Sequence, residues 1–404
     1  MTKLFESQWQ ATKKALCEGR DLTHNMDGSP NANKKAMMET VLENTRQAMK
    51  IMENATSGGT GSSNVATLNK VILPVIRRVM PTVIANEIIG VQPMTGPVGQ
   101  IHTLRVRYAD TSPVGGTGVT AGNEAFSPFD IARYYSGNQN VADPRGAATT
   151  SLEGMGGNRV SIQILKEIVE AKTRKLSARW TFEAAQDAQA QQGIDIEAEI
   201  MAALAQEITA EIDQEILTSL RALPGTPTAV FNQHAITGTP TFVGDVHAAL
   251  AILINRQANL IASRTRRGAG NWCVVSPTAL TILQSATTSA FARTTEGVFE
   301  APTNTKYVGT LNNSMRVYVD AYASDGTSVL IGYKGNETDA AAFFCPYVPL
   351  TSTGVVIDPA TFEPVVSFLT RYGYVELSNT ASSLGNAADY LGLVGIDTTY
   401  LSFM

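Results

Sequence analysis

With 404 residues, 44% apolar and 17% charged, the chain can build two or three cores, since domains cluster near ~100–150 residues. A formal charge of −5 argues against a dedicated nucleic-acid binder, which would present a basic face. Cys17, Cys273 and Cys345 lie far apart without a CxxC pair, excluding a disulfide framework, and no apolar run reaches the ~18–20 residues of a membrane span.

The N-terminus has Lys3 but no apolar signal core, so the expectation is a product made in the cytoplasm. Two amphipathic helices are predicted within residues 1–53. The first aligns Phe5, Trp9, Thr12 and Leu16; the second aligns Met38, Val41, Leu42, Thr45, Met49 and Met52. The Gly/Ser-rich Ala55–Asn64 follows as a coil-like hinge, which predicts an arm able to reach away from the body. An apolar, helix-compatible run (Val79, Val83, Ile84, Ile88, Ile89) then leads through the turn residues Pro93, Gly96, Pro97 and Gly99. Beyond them lies an alternating strand of Ile101, Thr103, Leu104, Val106 and Tyr108.

About fifty residues rich in Gly, Pro, Ser and Thr come next. GGTGVTAGN within them lacks the Lys-Ser/Thr ending of a phosphate loop, so a long β-excursion with a flexible glycine tip (Gly115, Gly116, Gly118, Gly122) is expected. Residues 159–182 read as a strand pair, Val160, Ile162 and Ile164 followed by Leu176, Ala178, Trp180 and Phe182, and a short helix is placed at 184–191. From Asp195 to Leu223 the pattern is strongly helical, stopped by Pro224-Gly225, with Met201, Leu204, Ile208, Ile212, Ile216, Ser219 and Leu223 on one stripe. At 1.5 Å per residue this helix is roughly 40 Å long. Glu207, Glu211 and Asp213 are assigned to its opposite, solvated face rather than to catalysis.

Helices are predicted at 246–263 and 277–284, the second opened by Ser276 and Pro277, and strands at 272–276, 316–320, 329–333 and 341–344. Glu363–Val375 is predicted as the longest strand; both its faces are apolar, which makes it central or covered. The four histidines have no zinc-ligand spacing, and no nucleophile elbow or protease signature occurs, so no catalytic residue, metal or cofactor is expected. Arg264, Arg266 and Arg267 form the only short basic cluster recognised, read as a surface turn because no aromatics interleave it.

Several strings carry a resemblance. RRVMPTVIANEIIGVQPMTGPVGQIHTLRVR (77–107), VEAKTRKLSARWTFEAAQDAQAQQGIDIEAEI (169–200), GAGNWCVVSP (268–277) and VYVDAYA, LIGYKGNETDA, PYVPL, DPATFEPV and FLTRYGY (317–374) run in one order. Together they resemble the major capsid protein family of T-even-type tailed bacteriophages. The resemblance implies an α+β Hong Kong-type capsid fold. Its parts would be an N-terminal arm (1–64), a joining segment (65–104), an extended loop (105–160), a peripheral domain with a spine helix (161–226), an axial domain (227–352) and a return strand with a C-terminal tail (353–404). It further implies a structural virion protein, not an enzyme, assembling mainly as hexamers of itself into an icosahedral shell around double-stranded DNA, without sequence-specific binding to that DNA. Vertex, portal, scaffold, prohead protease and decoration proteins are the implied partners. A vertex paralogue on the same fold is the alternative, and a soluble enzyme or nucleic-acid-binding protein a distant one.

Two departures from the family pattern stand out. The T-even proteins carry an inserted domain in the extended loop, and about fifty residues leave no room for one here. Ile51-Met52-Glu53 fits the family's Ile/Leu-x-Glu processing motif, although the expectation is an arm that is retained rather than cut after Glu53. Some relatives weld subunits through a loop lysine, and residues 109–158 contain none, so non-covalent locking is expected. Glu207, Glu211 and Asp213 facing Arg264, Arg266 and Arg267 of a neighbour are the candidate inter-subunit contacts.

Overall fold

The computed structural model describes residues 32–55, 83–111, 120–123, 125, 135–136, 146, 148–153, 156–192, 195–233, 243–286, 291–293, 306–312, 314–361, 363–378, 386–399 and 401. The first predicted helix, Cys17, the Gly/Ser hinge beyond Ala55, and Gly115, Gly116 and Gly118 lie outside the described residues.

In chain order the elements are α1 (Ala32–Ala55), α2 (Ala85–Ile88), β1 (Gly90–Val91), β2 (Val98–Tyr108), a single helical turn (Thr149–Leu152), β3 (Val160–Glu170), β4 (Lys172–Arg179), α3 (Phe182–Gln192) and α4 (Ile196–Ala222). Then come β5 (Ala229–Phe231), α5 (Val243–Thr265), β6 (Trp272–Val275), α6 (Pro277–Ser285), β7 (Phe291–Arg293), β8 (Lys306–Leu311) and β9 (Met315–Val319). The chain closes with β10 (Val329–Gly332), β11 (Lys334–Asn336), β12 (Asp339–Ala340), β13 (Ala342–Ile357), β14 (Pro364–Glu376), a 3₁₀ turn (Ala387–Tyr390) and β15 (Leu391–Ile396). Helices and mostly antiparallel sheets in separate blocks make the protein α+β.

The long helix α4 starts where its chemistry says it should: the Asp195 carboxylate accepts from the Glu197 N–H and caps the first turn. Its buried side is broader than one stripe and includes Ala205, Thr209, Asp213, Leu217 and Leu220, whereas Ser219 is half-buried. The helix is gripped from two sides, so a single-stripe pattern undercounts its contacts. Across it lies the sheet β1-β13-β14-β4, whose Phe344, Val366, Phe368 and Tyr372 share its core. β14 is central, as expected, but β13 with its 16 residues is the longer strand and extends the predicted 341–344 segment to Ile357. Register shifts at Tyr347, Leu350 and beyond Ser352 interrupt its alternation, which hid its length from a period-2 search.

The mixed sheet β5-β15-β10-β6-β9-β8-β7 is covered on both faces. Trp272, Val274, Tyr318 and Leu330 point into the α4 core. Cys273, Val275, Val317, Val319 and Ile331 pack under α5 and α6. Strands buried on both sides read as continuous apolar runs, which is why WCVV, VLIG and LGLVGI show no alternation. At Gly332 a Cβ would sit 2.1 Å from the Trp272 ring, so the indole lies where only glycine leaves room.

The predicted 159–182 strand pair is present as two strands but not as a pair. β3 bonds to β2 and β4 to β14. Ala171 alone separates them, and one residue cannot reverse a chain that needs at least two for a hairpin turn. Trp180 lies beyond β4, and Phe182 opens α3 instead of extending a strand.

The second predicted helix also differs from expectation. Ala32–Asn44 does not stand away: Met37, Met38, Val41 and Leu42 are buried in the α4 core against β13. Polar contacts hold both ends of this stretch. Lys34 Nζ donates to Glu87 Oε1 at 2.7 Å, and Asn44 Nδ2 donates to the Met94 and Tyr347 carbonyls at 2.7 and 3.1 Å. The Tyr347 carbonyl is released from the ladder by the register shift there, so Asn44 satisfies a group the sheet leaves over.

Candidate assembly surfaces

The feature that stands furthest outside the cores is the β2–β3 ribbon. Eleven register pairs, Val98↔Glu170 to Tyr108↔Val160, join two strands with no third strand beside them among the described residues. At ~3.4 Å per residue the ribbon is roughly 35 Å long. Its stem reaches past the predicted 105–160 excursion at both ends. Alternation sorts its faces. One carries Leu104 opposite Ile164, Val106 opposite Ile162 and Tyr108 opposite Val160; the other carries Arg107, Ser161 and Gln163. Leu104, Ile162 and Ile164 are 64%, 68% and 67% exposed, and Val98, Val160 and Ile168 are exposed with them. A contiguous apolar strip of this kind marks an interaction surface.

The ribbon's end is clamped, not merely flexible. Tyr135 packs against Tyr108 with ring centroids 4.5 Å apart and planes tilted by 56°, its hydroxyl donates to the Arg159 carbonyl, and it accepts from the Asp110 N–H at 3.1 Å. Asp110 and Arg159 close the neck with an ion pair at 3.0 Å, and this guanidinium holds the Asp110 carboxyl below its usual range. Of the predicted tip glycines, Gly122 is described, and its φ of +95° suits glycine alone.

The predicted contact residues do not form one set. Glu207 and Glu211 are exposed on α4, and Glu211 accepts from Arg174 of β4 at 2.7 Å. Arg174 also reaches Glu215 and the Tyr372 hydroxyl, tying β4, α4 and β14 together. Asp213 is not solvated. It is 2% exposed and accepts from the Ile84 N–H at 2.9 Å; burial pushes its pKa up to about 8, with Asp320 adding to the rise. Asp320 is itself held by Gln214 at 2.7 Å and Arg221 at 3.0 Å, which anchors α4 to the end of β9.

At the end of α5, Arg264 is half-buried, and Arg266 adopts φ +53° and ends the helix in the left-handed conformation. Arg267 donates to Asp339 of its own chain at 2.8 Å. Glu53 lies in the last turn of α1. KTRKLSAR of β4 holds four cations in eight residues, more than the three at 264–267 though less densely packed. A plain charge count makes this second cluster legible, where hydrophobic alternation does not.

Nothing among the described residues assembles chemistry. No group of three or more His, Cys, Asp or Glu is placed to hold a metal ion there. An open depression is lined by Ile252, Asn255, Arg256, Asn259 and Leu260, all side chains of the single helix α5. No described helix is long and apolar enough to cross a membrane.

Comparison with known proteins agrees with a surface-driven role. A family model described as major capsid protein Gp23 matches residues 65–396. The major capsid protein of Vibrio phage KVP40 is 28% identical, over 83% of this chain and 82% of that protein. That of Escherichia phage AR1 is 30% identical over 79% and 78%, and that of Enterobacteria phage T4 is 29% identical over 79% and 78%. Because the family model spans well over half its length, the chain belongs to the Gp23 family of major capsid proteins, which form the head shells of tailed phages.

Proposed function

We propose that copies of this chain assemble mainly as hexamers in a Hong Kong-type shell, locked without covalent bonds by the β2–β3 ribbon lying across a neighbour. The observation that carries this reading is the apolar strip of Leu104, Ile162 and Ile164, which the described parts of its own chain leave exposed. An isolated two-stranded ribbon is marginal in water, so contact with a second copy supplies both burial and order. In this layout α4 is the spine of the peripheral domain, the β5–β10 region is axial, and β14 returns to the peripheral sheet. Clamped at its neck by Tyr135, the loop end takes the place of the inserted domain of the T-even proteins. The docked Ala32–Asn44 supports an N-terminal segment retained in the particle, since loss of residues 1–53 would withdraw four buried apolar side chains and Lys34, one of the partners of Glu87.

The test is to express the full chain, alone and with its scaffold and protease, and to examine it by electron microscopy. Tubes, sheets or polyheads are expected. A monodisperse monomer would reject the proposal.

A further inference from the structure

Two neighbouring stretches of this chain, β4 and the α3 region after it, differ in the sign of their charge. β4 holds Lys172, Arg174, Lys175 and Arg179, and Lys166 precedes them on β3, in a chain whose formal charge is −5. From Trp180 to Leu220 there is no lysine or arginine, and the stretch opens with Glu183, Asp187, Asp195, Glu197 and Glu199.

β4 is the edge strand of its sheet, bonded to β14 on one side. Its even-numbered positions turn inward, where Leu176 and Ala178 pack on the core and Arg174 meets Glu211 and Glu215. Its odd-numbered positions, Thr173, Lys175, Ser177 and Arg179, are exposed. Register places Arg371 opposite Thr173, Leu369 opposite Lys175, Ser367 opposite Ser177 and Val365 opposite Arg179, so the cations of this face stand beside half-buried apolar side chains of β14. Lys175 enters no ion pair among the described residues, and Arg179 reaches Glu363 only at 3.7 Å.

The acidic partner is just as unsatisfied. Every α3 side chain whose burial is described is exposed, except half-buried Ala185. A helix with no buried face gains little order from its own body. Glu183 and Asp187 make no ion pair among the described residues.

We propose that the acidic helix α3 of one copy docks on the basic outer face of β4 of a second copy. This rests on the shell-building reading and adds to it a charged contact distinct from the apolar ribbon. Exposed pairs are individually weak and screened by salt, so the contact selects orientation and partner, leaving bulk affinity to apolar burial.

The experiment uses full-length chains carrying Lys175→Glu with Arg179→Glu, or Glu183→Lys with Asp187→Lys, or all four changes, each checked for unchanged circular dichroism. Each pair alone should lower particle yield about tenfold at roughly 50 mM salt. The fourfold variant should recover, and so should an equimolar mixture of the two pair variants, because a reversed strand then meets a reversed helix in trans. Undiminished assembly of both pair variants would overturn the proposal, as would loss that neither the fourfold variant nor the mixture repairs. Normal assembly of the β4 variant with loss of DNA retention would overturn it too, assigning that face to nucleic acid. Failure of the unaltered chain to assemble would instead reject the shell reading itself.

Discussion

At the scale of single residues, Asp213 carries the clearest pH dependence. Its folded pKa of about 8 lies above the ordinary value of 3.8, so the folded state holds the proton more tightly than the unfolded chain. The stability tied to this proton is complete below pH ~4 and is lost progressively as pH rises toward ~8. Asp213→Asn should flatten that slope while its carbonyl still accepts from Ile84, gaining on the order of a few kcal/mol at pH 8. Denaturant titrations of unassembled protein at pH 5 and pH 8 check this; equal gains at both would show that ionisation is not the cause. Arg266 offers a simpler case. Its φ of +53° is costly for a side chain with a Cβ, so Arg266→Gly should stabilise by about 0.5–1 kcal/mol. Were Arg266 a vital contact between copies, assembly would fail as stability rose.

At the scale of elements, the docking of α1 depends on Glu87. Its carboxylate is fully buried and receives Lys34 at 2.7 Å, Arg316 at 3.4 Å and the Tyr318 hydroxyl at 3.3 Å. Lys34→Met should cost about 2–3 kcal/mol, because the closest counter-charge is removed and the acid stays behind. Adding Glu87→Gln should recover a large part of the loss; thermal melts of the single and double variants measure it. The ribbon makes the opposite prediction. Leu104→Ser, Ile162→Thr and Ile164→Thr together lie on an exposed face and should move unfolding by about 0.5 kcal/mol per site or less. Sedimentation should nevertheless show assembly abolished; intact assembly would remove the ribbon from the locking role.

At the scale of the whole molecule, non-covalent locking predicts that boiled particles give a single denatured band near 43.1 kDa. A ladder of multimers would refute it. The same band tests retention of the N-terminal segment, since removal of residues 1–53 from a chain of 404 residues and 43.1 kDa would shift it by about 6 kDa.

Local chemistry determined much of this protein before any fold was considered. Asp195 and Pro224-Gly225 bound α4, Ser276-Pro277 opens α6, and the alternation of Val160, Ile162 and Ile164 marks a strand. These signals act over one or two turns and survive in any context. Tertiary structure alone decided what depends on partners remote in sequence. It buried Asp213 by bringing Ile84 across α4, docked Ala32–Asn44 through Glu87 and the freed Tyr347 carbonyl, and paired β3 with β2 rather than with β4. Periodicity reports which side of an element is apolar, not how many neighbours surround it, and those neighbours come from contacts that no local pattern encodes.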